Sequence, residues 1–250
     1  MTKSSGMGDN YYVGGYDLSG DVGSLGRIGG GPAPLELTGI NKSAFERAGG
    51  KRDGGLDYSS WFNPGLLAAH PVLSVLPTGN VIQTYCMGTA IGNPAASMVS
   101  KQTNYDGTRG EDGSFTFALN TLANGYGIEW GDQLTAGKRT DTGATAGTAF
   151  DSGAATTNFG LQAYLHVFAF SGTDITIKLQ ESSDNAGDAY ADVTGGGFTQ
   201  VTAGPTSQRI ATATNLAVER YLKVTTVTSG GFSSCTFAVM AVRNLAAPQF

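Results

Sequence analysis

The stretch Leu35–Phe62 reads LELTGINKSAFERAGGKRDGGLDYSSWF. An apolar run carrying Leu35, Leu37 and Ile40 leads into the charged segment SAFERAGGKRDGG. LDYSSWF follows, with Tyr58 and Trp61 on it. The pattern predicts a strand, a short helical or turn-like connector and a second strand, with Gly49-Gly50 and Gly54-Gly55 as the bend points. No residue here is placed for bond-making chemistry. The stretch offers an extended, two-faced ribbon, and such ribbons pair either within their own chain or with other copies of it.

Composition around the ribbon fits assembly. Charged residues are only 14% of the 250 and Gly contributes 38, against about 25% charged and about 7% Gly in ordinary globular chains. A surface so poor in charge suits a chain partly covered by neighbouring subunits, and equally a loop-rich β protein full of Ser and Thr. The net charge is −5. Each half is acidic, with 10 basic and 13 acidic residues up to position 150 and 5 and 7 after it. Neither half is a phosphate-binding module.

From Tyr16 to Trp130 the chain alternates short β-like runs with turns. In SFTFALNTL (114–122), Phe115, Phe117 and Leu119 alternate with Thr116, Ala118 and Asn120, which predicts a half-buried strand. The best helical candidate is PGLLAAHPVLSV at 64–75, where Pro71 ends or kinks the helix. Residues 1–15, rich in Gly and Ser, read as an arm that orders against a neighbour. Residues 131–158 are almost all Gly, Ala, Thr, Asp and Ser, which predicts a linker or long surface loop. Beyond it, LQAYLHVFAF (161–170) is apolar on both faces, DITIKLQE (174–181) alternates, and strands at 220–226 and 236–242 complete a compact antiparallel β-sandwich.

Signals for chemistry are weak throughout. There is no GxSxG elbow, P-loop, HExxH or Cys/His metal spacing. Cys86 and Cys235 sit in apolar runs and read as buried free thiols. His70 and His166 read as structural. Asp184–Asp188 (DNAGD) lacks the EF-hand spacing and makes a tight turn more simply. Trp61 and Trp130, with Tyr58 and Tyr126, form either a sugar-stacking platform or, more commonly, packing. The N-terminus carries no apolar signal core and no run reaches 18 apolar residues, so a soluble chain without an export signal of its own is expected.

Several phrases resemble the major tail (tail tube) proteins of long-tailed, non-contractile bacteriophages. They are YDLSGDVGSL, LTGINKSAFERAGGKRDGGLDYSSWF, HPVLSVLPTG, the GTAIGNPA…KQTNYD run and LANGYGIEWG. ITIKLQESSDNAGDAYADV and ERYLKVTTVT…TFAVMAVRN are similar to the β-sandwich region towards the C-terminus of many phage virion proteins. The likeness spans roughly residues 13–244 and rests on phrase order rather than on one diagnostic motif.

The resemblance implies a mainly β chain: a tail-tube-like β-barrel/sandwich domain with an N-terminal arm (1–135), a linker or long loop (136–157) and a C-terminal antiparallel β-sandwich (158–250). It implies a non-enzymatic, cofactor-free virion protein, assembled in the host cytoplasm into stacked, hexameric rings through which DNA passes without sequence-specific binding. Its partners would be copies of itself, a tape measure and a tail terminator, with no membrane. By the same analogy Leu35, Leu37, Ile40, Tyr58 and Trp61 belong to an inter-subunit ribbon, and Glu36, Glu46, Asp53 and Asp57 are lumen acids. Lys42, Arg47, Lys51 and Arg52 on the same ribbon form inter-subunit ion pairs or place the connector outside the lumen. The other readings are a head-decoration or capsid-stabilising protein, and a carbohydrate-binding β-sandwich module.

Overall fold

The computed structural model describes residues 5–153 and 155–247. Residues 1–4 of the expected arm, 154 of the expected linker and 248–250 of the expected C-terminal domain lie outside the described residues.

The chain is almost wholly β. Strands β1 (Asn10–Val13) and β2 (Tyr16–Asp17) form a hairpin through Gly14-Gly15, whose φ values of 61° and 91° suit a two-residue turn that glycine enters freely. Tyr11, Tyr12 and Val13 are buried and β1 pairs with a later strand. This part of the expected arm is therefore core: three consecutive large apolar side chains outweigh the Gly/Ser-rich start. The N-terminal half continues with β3 (Val22–Glu36), β4 (Arg47–Trp61), helix α1 (Ala69–Leu73), β5 (Val81–Cys86), β6 (Pro94–Gln102), β7 (Asp106–Arg109), β8 (Phe115–Leu119), β9 (Thr121–Ala123) and β10 (Glu129–Gln133). The helix is shorter than the periodicity at 64–75 predicts. It holds Pro71 in its first turn, where a missing N–H costs nothing, and the Asp21 carboxylate accepts the Ala69 N–H at 2.9 Å.

Then come β11 (Arg139–Asp141), β12 (Phe150–Asp151), β13 (Leu161–Gly172), β14 (Thr176–Ser182), β15 (Ala191–Gly197), β16 (Thr206–Ala211), β17 (Tyr221–Val227) and β18 (Phe232–Arg243). The stretch expected as linker or long loop carries β11 and β12 and is fastened down. Arg139 pairs with Asp141 at 2.7 Å and donates to the Val224 carbonyl at 2.8 Å, while the Thr226 hydroxyl donates to Asp141.

All pairings are antiparallel. One 14-stranded sheet runs β16-β13-β18-β10-β6-β9-β4-β8-β7 and is not closed into a barrel. Its β13–β18 end faces a second sheet, β12-β17-β14-β15, across a core that includes Leu165, Ile177, Leu179, Val224 and Phe237. A second core lies in the N-terminal half, where Tyr11, Leu56, Tyr58, Met98, Phe117 and Leu119 pack with Leu73 of α1. The β10–β18 pairing, Asp132 opposite Ala241 and Gln133 opposite Met240, makes the two halves share one sheet. Leu134 belongs to the C-terminal core. Both cysteines are free and buried.

Candidate functional site

The longest feature is an arm made of β3 and β4, paired from Val22 opposite Ser60 to Glu36 opposite Arg47. The ribbon read in the sequence is the second half of this arm. The turn is Leu37–Glu46 only, closed by the Leu37 N–H on the Glu46 carbonyl at 2.9 Å. Arg47–Asp53, expected in the connector, are strand. The partner strand is Val22–Glu36, whose glycines and two prolines conceal it in sequence. β3 pairs only with β4 among the described residues and carries three register shifts together with Pro32 and Pro34. Bulges and prolines are how exposed sheet edges resist indiscriminate pairing.

Glycine faces glycine in the middle of the arm: Gly29 opposite Gly55 and Gly30 opposite Gly54. A Cβ on Gly30 would stand 2.2 Å from the Asp53 carbonyl oxygen, and one on Gly54 2.6 Å from the Ile128 nitrogen. The missing side chains let the arm lie directly on the 127–128 backbone. Beyond the crossing, a groove of about 440 Å³ separates Pro32, Gly49 and Arg52 from Glu129, Trp130 and Asn244. Behind its wall Glu129 is buried. It accepts two hydrogen bonds from Arg209, at 2.9 and 3.0 Å, and one from the Tyr164 hydroxyl. Burial, and then the Glu129 charge, hold the Tyr164 hydroxyl well above its ordinary range. Arg209 lies 3.8 Å over the Tyr126 ring, and Arg52 stands 3.9 Å from Glu129. No buried side-chain atom of Glu129, Tyr164 or Arg209 is left without a partner, so the network fastens β16 to β10.

The five candidate ribbon residues separate into three places. Leu35, Leu37 and Ile40 are at the arm's end with their side chains out, and Ile40 has 108% of its reference exposure. Phe45 joins them, exposed, with the Arg47 guanidinium 4.6 Å over its ring. Tyr58 instead points into the N-terminal core, its ring 4.6 Å from that of Tyr11, so it is no contact residue. Trp61 is half exposed at the arm's root, on the order of 45 Å along the strand from Arg47 at about 3.3 Å per residue.

The four acids do not gather either. Glu36 is exposed opposite Arg47, and Glu46 is exposed and paired with Lys42 at 3.0 Å. Asp53 is exposed at mid-arm, whereas Asp57 is half-buried and accepts the Thr121 N–H at 3.4 Å.

Further exposed apolar side chains follow Trp61 in the chain, on the segments before and after α1. Phe62, Leu66, Leu67, Val75 and Leu76 are all exposed. Two of them, Leu67 (φ 64°) and Leu76 (φ 45°), hold left-handed backbone on either side of α1. That conformation is costly for a branched side chain and tends to be kept at working surfaces. The turn between β7 and β8 lies at the same end, since the Phe62 N–H donates to the Phe115 carbonyl. It carries Glu111 and Asp112, with Arg109 at the end of β7 beside it. In the sequence Leu66, Leu67 and Val75 fall in the run 64–75 read as the best helical candidate.

No family model and no curated protein matches the chain. Among solved structures it is similar to the Dit protein of phage SPP1, a paradigm of the hub adsorption apparatus in phages infecting Gram-positive bacteria. The identity is 13% over 94% of this chain and 99% of that one, with a TM-score of 0.34. It is also similar to a chain of the phage p2 baseplate in its activated conformation with Sr, at 9% identity over 94% and 98% and a TM-score of 0.37. The same baseplate with Ca gives 10% identity over 95% and 99%, again with a TM-score of 0.37. At such values function has to be argued from the chain's own surfaces.

Proposed function

We propose that this chain is a non-enzymatic structural subunit of a phage tail, which assembles with copies of itself into stacked rings around a path for DNA. The observation that carries assembly is the β3–β4 arm: a 15-residue pair of strands ending in Leu35, Leu37, Ile40 and Phe45, all turned to solvent. Burying one such side chain is worth about 1.5–3 kcal/mol, so a second surface that covers the arm's end gains substantially. The low content of charged residues points the same way. The tail setting, the tube and the tape-measure and terminator partners rest on the resemblance of the sequence phrases.

The test is the size and shape of the purified chain by light scattering and negative-stain microscopy as concentration rises. Rings or tubes are expected, and Leu37→Asp or Ile40→Asp should abolish them without changing the circular dichroism spectrum. A chain that stays monomeric at high concentration in every salt condition refutes the assignment.

A further inference from the structure

The chain has one asparagine followed by glycine, Asn124-Gly125, in the turn between β9 and β10. We propose that this pair is a site of spontaneous covalent modification, at which Asn124 is converted to aspartate and isoaspartate with water as the only co-reactant. The proposal stands apart from how copies of the chain assemble.

The chemistry is closed within two residues. Solvent base removes the Gly125 amide proton, and the nitrogen attacks Asn124 Cγ, forming a new C–N bond. The Cγ–Nδ2 bond breaks, and Nδ2 leaves as ammonia after taking one proton back from solvent. Water then opens the five-membered imide. Attack at the side-chain carbonyl gives aspartate, and attack at the main-chain carbonyl gives isoaspartate, whose main chain runs through Cβ.

The fold leaves this reaction open. Asn124 is exposed, and its Nδ2 is held only by Oδ1 of Asn80, itself exposed, at 2.8 Å. Among the described residues the Gly125 N–H donates to nothing, so no hydrogen bond has to break before the nitrogen can react. Gly125 has φ 81°, and a Cβ there would meet no atom within 4 Å. Nothing therefore crowds the ring as it closes. Asp112-Gly113 makes the contrast, because its glycine N–H is held on the Gly110 carbonyl at 3.1 Å. Every other asparagine precedes a residue with a Cβ, which hinders closure, or a proline, which has no N–H to lose.

The position gives the product a structural effect. The same turn carries Gly127 and Ile128, the backbone on which the arm crosses. A Cβ on Gly127 would stand 3.2 Å from the Asp53 carbonyl oxygen, and one on Gly54 2.6 Å from the Ile128 nitrogen. Isoaspartate lengthens the main chain three residues before this contact, which has no slack, so the modified chain should hold its arm less firmly.

The experiment ages the folded full-length chain in warm, mildly alkaline buffer. Tandem mass spectrometry of its peptides and labelling by an isoaspartyl methyltransferase follow the reaction, with Asn124→Gln as the blocked control. Asn124 should be modified ahead of every other asparagine, faster as pH rises, and the control should take up far less label. Trypsin should then cut 30–53 faster in the aged parent than in the fresh parent or the aged control. Earlier modification of another asparagine overturns the site. So does an unlabelled folded chain when the urea-unfolded chain is labelled in the same buffer. Labelled chains whose arms are cut no faster than fresh ones overturn the link to the arm.

Discussion

Acid should loosen this protein through His166 before its carboxylates titrate. The ring is wholly buried on β13, with Nδ1 accepting the Gly15 N–H at 3.3 Å. Its proton is therefore on Nε2, which donates to the Thr84 hydroxyl at 3.0 Å; that hydroxyl lies 3.0 Å from Ser97 Oγ. Tyr12 and Phe168 flank the ring, and among the described residues no carboxylate hydrogen-bonds to it. A second proton on Nδ1 would break the Gly15 bond and leave a charge without a counterion. Burial accordingly lowers the pKa from 6.5 to about 3. The unfolded chain takes up the proton below 6.5 and the folded one does not, so the stability is complete above 6.5 and is lost as pH falls towards 3. At pH 4.5 the loss amounts to about 3 kcal/mol, two pH units at about 1.4 kcal/mol each. Carboxylates held low in the fold, such as Asp174 under the N–H of Ser229, begin to weaken it only nearer pH 4.

Urea unfolding followed by circular dichroism at pH 7.5 and 4.5 measures the loss, with His166→Gln as the non-titrating control. The parent should lose about 3 kcal/mol between the two pH values and the variant far less. A parent that loses under 1 kcal/mol, or a variant with the same pH dependence, refutes the assignment of this histidine.

Three further perturbations probe the joints of the fold. Arg209→Met leaves buried Glu129 with the Tyr164 hydroxyl and the more distant Arg52 as its only partners among the described residues and should cost about 3–5 kcal/mol of unfolding free energy, recovered in large part by adding Glu129→Gln. Gly54→Ala drives a methyl group against the Ile128 backbone. It should lift the arm, which proteolysis of 30–53 reports as faster cleavage, with a change of at least about 1 kcal/mol in stability. A fragment starting at residue 158 lacks Leu134 and the Arg139–Asp141–Thr226 contacts and should melt well below one starting at 134, because losing a buried leucine alone costs about 2–5 kcal/mol.

What could be read in the sequence was local. β8 and β14 announce themselves by alternation, and β13 by its apolar run, because each strand's two faces meet different surroundings. The arm was half legible: LDYSSWF reads as strand, but VGSLGRIGGGPAPLE does not. Its glycines answer to a close backbone approach and its prolines to an open edge, neither of which is local. Tyr58 was misplaced because one-residue alternation gives two faces without saying which is inside. β11 looks like linker until Asp141 meets Thr226, 85 residues away. The exposure of Leu66, Leu67 and Leu76 escaped because exposed and buried leucines are spelled alike.

The shared sheet also sets an order of events during synthesis. Thr135 Oγ1 accepts the Val239 N–H across 104 residues of sequence, and β10 has no partner on that side until β18 has been made. Contacts so distant in sequence are slow to form, so the N-terminal half leaves the ribosome with an open edge and an incomplete neighbour. The arm ends at Trp61, 171 residues before that closing strand begins at Phe232. Chains stopped before β18 would therefore carry arms on unfinished bodies, so the last strand made, rather than the arm, marks a subunit as ready to join others.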